Sequence, residues 1–234
     1  MTSYRRGSRR NSIHLLLGTM ATEDFYSAPP GTYGNALLNW SNHAPSDVIS
    51  YAVSYRNAAH CLIASYERGG VGEIDHGACP VIFLFRHAIE LYLKAMVYRL
   101  ARLSVDDQEL RRVLPRLWRE HSIMKLLSMA QPVLAAMRDR FPLALRVIDE
   151  EELRFLSDLD CVDPGSYSFR YPVASTGGSA LPGMFMTNIF VFAQMADQTL
   201  DSLNAICRHL IDEVRALEPQ MRLNLGTMDS RQRG

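Results

Sequence analysis

Apolar residues recur along this chain at three- and four-residue steps and nowhere convincingly at steps of two, so the pattern predicts helices and no strands. The stretch "SDVISYAVSYRNAAHCLIASYERGG" opens with Ser46 as an N-cap and Asp47 in the first turn, and it closes at Gly69-Gly70. Val48, Ala52, Tyr55, Ala59, Leu62 and Ile63 form its apolar stripe. After the turn-rich "GGVGEIDHGAC", Pro80 suits the first turn of a second helix running to about Leu103. A third helical region starts near Asp106 and is broken or kinked at Pro115. "QPVLAAMRDRF" continues as a short helix, Pro142 interrupts, and "RVIDEEELRFLSDLD" makes another. "CVDPGSYSFRYPVASTGGSALPG" has no helical period and reads as a long connection of the kind that carries function. The last helix runs from about Met184 to Leu217. Its stripe of Ile189, Phe192, Ala196, Thr199, Leu203, Ile206, Leu210 and Leu217 is close to a heptad seam. The expected class is all-α, an antiparallel up-and-down helical bundle.

These elements divide the chain into an irregular lead-in over 1–45, a single helical domain over 46–217 and a polar, flexible tail over 218–234. Residues 1–19, "MTSYRRGSRRNSIHLLLGT", show neither helix period nor caps, and with Met20 following they read as a mis-called upstream start. A length of 234 residues with 47% apolar and 21% charged side chains suits one medium domain with a real core. Basic and acidic residues balance at 25 each, which removes whole-molecule attraction to nucleic acid or an anionic membrane. The apolar run Val81 to Phe85 stops at Arg86, far short of a membrane span. Cys61, Cys79, Cys161 and Cys207 lack zinc-ligand spacing and read as small core residues of a reducing, cytoplasmic protein. Without a Gly-rich phosphate loop, nucleophile elbow or zinc-protease motif, neither a cofactor nor a metal is expected.

The exception to this ordinary pattern is "FRHAIELYLKAM", residues 85–96. At about 100° per residue, Arg86, His87, Glu90 and Lys94 share one arc with Phe83 and Val97, while apolar side chains cover both flanks. Spacing alone reads as a solvated face with a Glu90–Lys94 pair worth about 0.2–0.5 kcal/mol. A functional strip needs something to face it, because partly buried charges require hydrogen-bonded partners. Two segments are candidates. In "REHSIMKLL", His121 stands where an N-cap or first-turn residue would, which is its bland role. In "DPGSYSFRYP", Asp163-Pro164-Gly165 makes a turn, Phe169 and Tyr171 anchor the loop in a groove, and Arg170 points the other way. The bland role for Arg170 is a pair with an acid such as Glu90.

In this order, "FRHAIELYLKAM", "EHSIMKLL", "DPGSYSFRYP" and a long final helix resemble the HEPN (higher eukaryotes and prokaryotes nucleotide-binding) superfamily. The likeness spans about residues 46 to 215. It is nearest to a bacterial HEPN-like group with an R-H-x-x-E-L-x-L-K helix and an F-R-Y-P loop. The resemblance implies a homodimeric bundle acting in toxin–antitoxin or antiphage systems, beside an antitoxin or other defence partner. Its members are metal-independent endoribonucleases or nucleotide-binding modules. Carried onto this chain, catalytic roles fall on Arg86, His87 and His121, and contacts to RNA or a nucleotide on Arg170, Glu90, Lys94 and Tyr171. Histidine would move the proton while arginine stabilises the charged phosphate. Active members carry an Arg and a following His with four to six residues between them. Here Arg116–His121 and Arg9–His14 have that spacing, Arg56–His60 is shorter, and Arg208 adjoins His209. The other reading is a non-catalytic dimerisation or protein-interaction module whose polar strip pins the loop.

Overall fold

A computed structural model of the chain describes residues 36, 44–69, 74–104, 107–138, 148–181, 183 and 186–231. The leader with Arg9 and His14, nearly all of the lead-in, the Pro142 interruption and residues 232–234 lie outside them. The helical unit is Ala44–Gly234. Among the described residues six helices follow in order: α1 (Ala44–Gly69), α2 (Ile74–Ser104), α3 (Asp107–Arg119), α4 (Ile123–Arg138), α5 (Glu150–Val162) and α6 (Ile189–Arg231). Among the described residues the only β pairing is one isolated bridge, Val173 to Ser179. The fold is all-α.

Side-chain contacts fix the helix directions. Tyr55 meets His87 and His60 meets Phe85, while Tyr66 lies over Gly77, so α1 and α2 are antiparallel. Arg56 and His60 reach Asp197 and Asp201, which sets α6 antiparallel to α1. Phe155 meets Phe192 and Glu152 meets Ser202, so α5 runs against α6. At the centre is α2, packed on α1, α6, α4 and α3. It buries Val81, Ile82, Phe85, Ile89, Tyr92, Leu93, Met96 and Leu100, which is why its sequence is apolar around most of the circumference. Across from it α6 buries Ile189, Ala196, Thr199, Leu203, Ile206 and Leu210 of the expected seam.

Several boundaries differ from the pattern, each for a physical reason. The second helix begins at Ile74, well before Pro80, and its Gly77 is a contact point instead of a breaker: a Cβ there would collide with the Tyr66 ring. Pro115 lies inside α3, and the break falls at 120–122. There the Glu120 carboxylate accepts the backbone N–H groups of His121 and Ser122 at 3.0 Å each, and Ser122 Oγ accepts from Lys125 N at 3.2 Å, capping α4. The helix so started runs through Gln131 and Pro132 to Arg138 without a separate element. Helix α5 starts only at Glu150, set by a capping box between Asp149 and Glu152. The final helix continues to Arg231, through most of the segment expected as a tail. Of the cysteines only Cys207 is buried, its thiol pushed up to about 12 by desolvation; Cys61 and Cys161 are exposed and are not core residues.

The Tyr66–Gly77 contact predicts a change of sign. Gly77→Ala in the wild type displaces the tyrosine ring and lowers stability by about 1 kcal/mol. In a Tyr66→Ala background the same substitution raises stability by about 0.5–1 kcal/mol through helix propensity. Urea denaturation of the four proteins reads both values.

Candidate functional site

The charged strip of α2 is not a solvated face. Arg86 is 0% exposed, Glu90 1% and Lys94 4%. One helical turn apart, their side chains meet head to head: Arg86 Nη1 donates to Glu90 Oε2 at 3.0 Å and Lys94 Nζ to Glu90 Oε1 at 2.8 Å. Burying these ions without further partners would cost several kcal/mol each. The remaining donors therefore find backbone. Arg86 Nη2 donates to His121 O at 2.9 Å and to Asp163 O at 2.7 Å, and Nε donates to Asp163 O at 3.1 Å. Lys94 Nζ reaches Trp118 O at 3.2 Å.

These carbonyls sit at the ends of two helices. Trp118 is in the last turn of α3, and Asp163 is the C-cap of α5, whose last turn has no basic residue of its own. Unpaired carbonyls and the negative end of the helix dipole make such places favourable for a cation. Arg86 supplies it to α5 from across the bundle, and Lys94 to α3.

The loop after α5 is built on the same residue. Asp163 Oδ1 accepts Tyr167 N at 2.6 Å and Ser168 N at 2.8 Å, while Oδ2 stands 3.2 Å from Arg86 Nε. Ser166 takes a left-handed backbone, φ 55°, to complete the turn. Phe169 is buried beside Ile82, Leu159 and Phe192. Tyr171, expected to anchor the loop with it, is 47% exposed. Arg170 does not pair with Glu90, whose oxygens are taken by Arg86, Lys94 and His121. Its exposed guanidinium lies over the rings of Phe83 and Tyr171, 5.5 and 5.6 Å from their centroids, with no ion pair among the described residues. Tyr167 lies against Tyr171 with the rings tilted by 33° and their centroids 4.6 Å apart.

Of the histidines, His121 keeps a 47% exposed side chain whose Nδ1 lies 3.0 Å from Glu90 Oε1. A carboxylate only accepts, so Nδ1 carries a proton toward Glu90 and the Nε2 edge is left facing outward. Ser122, not His121, caps α4. His87 is half-buried between the edge of Tyr55 and the face of Phe83, with no hydrogen bond from its ring nitrogens among the described residues. Of the pairs with the family spacing, only Arg116 and His121 lie within the described residues, where their side chains make no contact with each other; the shorter-spaced Arg56 and His60 are held by Asp197 and Asp201 as a clamp between α1 and α6.

Spacing does not single out Asp160, Asp163, Asp197 or Asp201. Asp160 holds Ser122 Oγ at 2.8 Å and Ile123 N at 2.7 Å from 37 and more residues away, and such long-range caps leave no local signature. The Asp149-x-x-Glu152 capping box is the exception and is readable from sequence.

Comparison with known proteins finds no family model, no curated sequence and no solved structure that matches the chain. The fold and the site stand on their own geometry: an all-α protein with a buried ion network under a strapped loop. No helix among the described residues is long and apolar enough to cross a membrane.

Two consequences are measurable. Burial is the largest influence on Glu90 and works to raise its pKa, but Lys94, His121 and Arg86 together outweigh it and hold the carboxyl below its usual value. Glu90→Gln leaves two buried cations uncompensated and costs about 3–5 kcal/mol, more than the triple change Arg86→Met, Glu90→Leu, Lys94→Met, as read by urea denaturation. Burial also pushes the His87 imidazole below its ordinary value of 6.5, with Glu90 opposing and Lys94, Arg170 and Arg86 assisting. A base whose folded pKa is depressed contributes stability that is complete above the unfolded value and lost as pH falls through the folded one. The wild type therefore weakens as pH falls below the ordinary imidazole value of 6.5, and His87→Phe flattens that slope. An unchanged slope in the variant would show that other groups cause it.

Proposed function

We propose that the protein binds RNA or a nucleotide on the rim formed by Arg170, Tyr171 and His121, as an HEPN-like module of a toxin or antiphage setting. One observation carries this reading: the Arg170 guanidinium is exposed, free of ion pairs among the described residues and stacked on two aromatic rings. A guanidinium so held keeps its donor fork for a phosphate, and exposed tyrosine offers a face to a base. His121 adds a hydrogen-bonding edge fixed by Glu90.

Binding is favoured over cleavage by two features. Every nitrogen of Arg86 is already engaged by protein oxygens, so it has little capacity to stabilise a transition state. The α2 positions under Arg170 and His121, Phe83 and Glu90, are about 10 Å apart along the helix axis, more than one phosphate spans. An extended ligand suits that separation. Arg86, Glu90 and Lys94 then act as the scaffold of the rim.

The test is fluorescence anisotropy with a labelled single-stranded RNA, followed by a gel of the same RNA. Arg170→Ala weakens binding about tenfold or more with an unchanged melting temperature, and the RNA stays intact. Equal affinity in wild type and variant overturns the reading. Cleavage that is abolished by His121→Ala would replace it with the ribonuclease.

A further inference from the structure

Residues of α5 and of the start of α6 line an open groove of about 430 Å³. Phe155, Phe192 and Met195 form its floor. Its α6 edge carries Val191 at 52% exposure beside Phe190 at 38%, and Met186, just before the helix, is 99% exposed. Asn188 Oδ1 accepts Phe190 N and Val191 N at 3.0 and 3.2 Å, so this apolar edge is displayed by a capped, ordered turn. A second cavity of about 160 Å³ shares Phe155, Asp158 and Phe192 and extends the groove toward Phe169. Isolated apolar side chains on a surface need no explanation, but a group of them around a cleft does.

The opposite edge is acidic. Glu150, Glu151 and Asp158 are exposed on α5, against Arg154 alone, and none of the three acids is in an ion pair among the described residues. The first two are explained by the helix N-terminus, where negative charge is stabilising. Asp158 is not: it lies toward the C-terminal end of α5, where the dipole disfavours it, and Arg154, one turn before it, makes no ion pair with it among the described residues.

We propose that this groove receives a helical segment of another protein that presents apolar side chains on one face and lysine or arginine beside them. The 13 residues of α5 give a seat about 20 Å long, enough for some four turns of helix. The apolar face enters between Phe155 and Val191, and the cations meet Asp158 and Glu151. A second copy of this chain is the less suitable occupant, because a two-fold contact would bring the acidic edge onto itself with only Arg154 to offset it. The proposal is independent of the RNA-binding reading and involves neither Arg170, Tyr171 nor His121.

The experiment uses two fluorescein-labelled helical peptides of about 14 residues with leucines at i, i+3, i+4 and i+7, one flanked by lysines and its twin by glutamates. The full chain binds the lysine peptide at least about tenfold tighter than the twin, and Val191→Glu abolishes that binding at an unchanged melting temperature. Glu151→Lys with Asp158→Lys reverses the preference between the peptides. A preference that survives the double charge reversal, or affinity unaffected by Val191→Glu, overturns the assignment of this surface. A dimer in sedimentation that Val191→Glu converts to monomer also overturns it, since the occupant is then a second copy.

Discussion

The structure depends on one guanidinium that two parts of the backbone share. Arg86 is anchored in the central helix, fully enclosed, and its nitrogens join the carbonyl of His121, the carbonyl of Asp163 and the carboxylate of Glu90. The α3–α4 joint and the strap after α5 are thereby registered against the same turn of α2. A hydrophobic side chain of equal volume would fill the space, but it would leave the terminal carbonyls of α5 and the joint without donors. The cost of burying the charge is offset by geometry that only an arginine fork provides.

That arrangement explains why the exposed chemistry lies where it does. Because Arg86 and Lys94 occupy Glu90, the carboxylate has one direction left, toward the imidazole of His121, and it fixes that ring at the surface. Because Asp163 gathers the amides of Tyr167 and Ser168, the chain turns early, drives Phe169 into the core and delivers Arg170 onto Phe83. The buried charges position the exposed ones. The helical unit carries two surfaces of different character: a cationic, aromatic rim and an apolar groove with an acidic edge.

Much of the fold was legible because helical periodicity is a local property. The stripe of α1 and the seam of α6 are on the page as written, and the wedge on α2 marks the helix with the most unusual surroundings. Proline and glycine were poorer guides. Pro115 and Pro132 are tolerated within helices, and Gly77 reflects the approach of Tyr66 from α1, which spacing along one helix does not encode. The site was half legible for a similar reason. Arg86, Glu90, Lys94, His121 and the loop were recognisable as belonging together, but which arginine takes Glu90 is decided in three dimensions. The sequence reading offered Arg170 as the partner, and the structure gives the place to Arg86. Likewise Asp160 acts across tens of residues, and nothing in its neighbours marks it as the cap of a distant helix.

Amide hydrogen exchange tests the shared-guanidinium account most directly, comparing wild type with Arg86→Met. The account predicts that protection falls together, by at least about tenfold, at Ile123 and Leu126 in the joint and at Tyr167 and Ser168 in the strap, while Leu93 and Met96 in the middle of α2 keep theirs. Loss in only one of the two segments, or in neither, would contradict it.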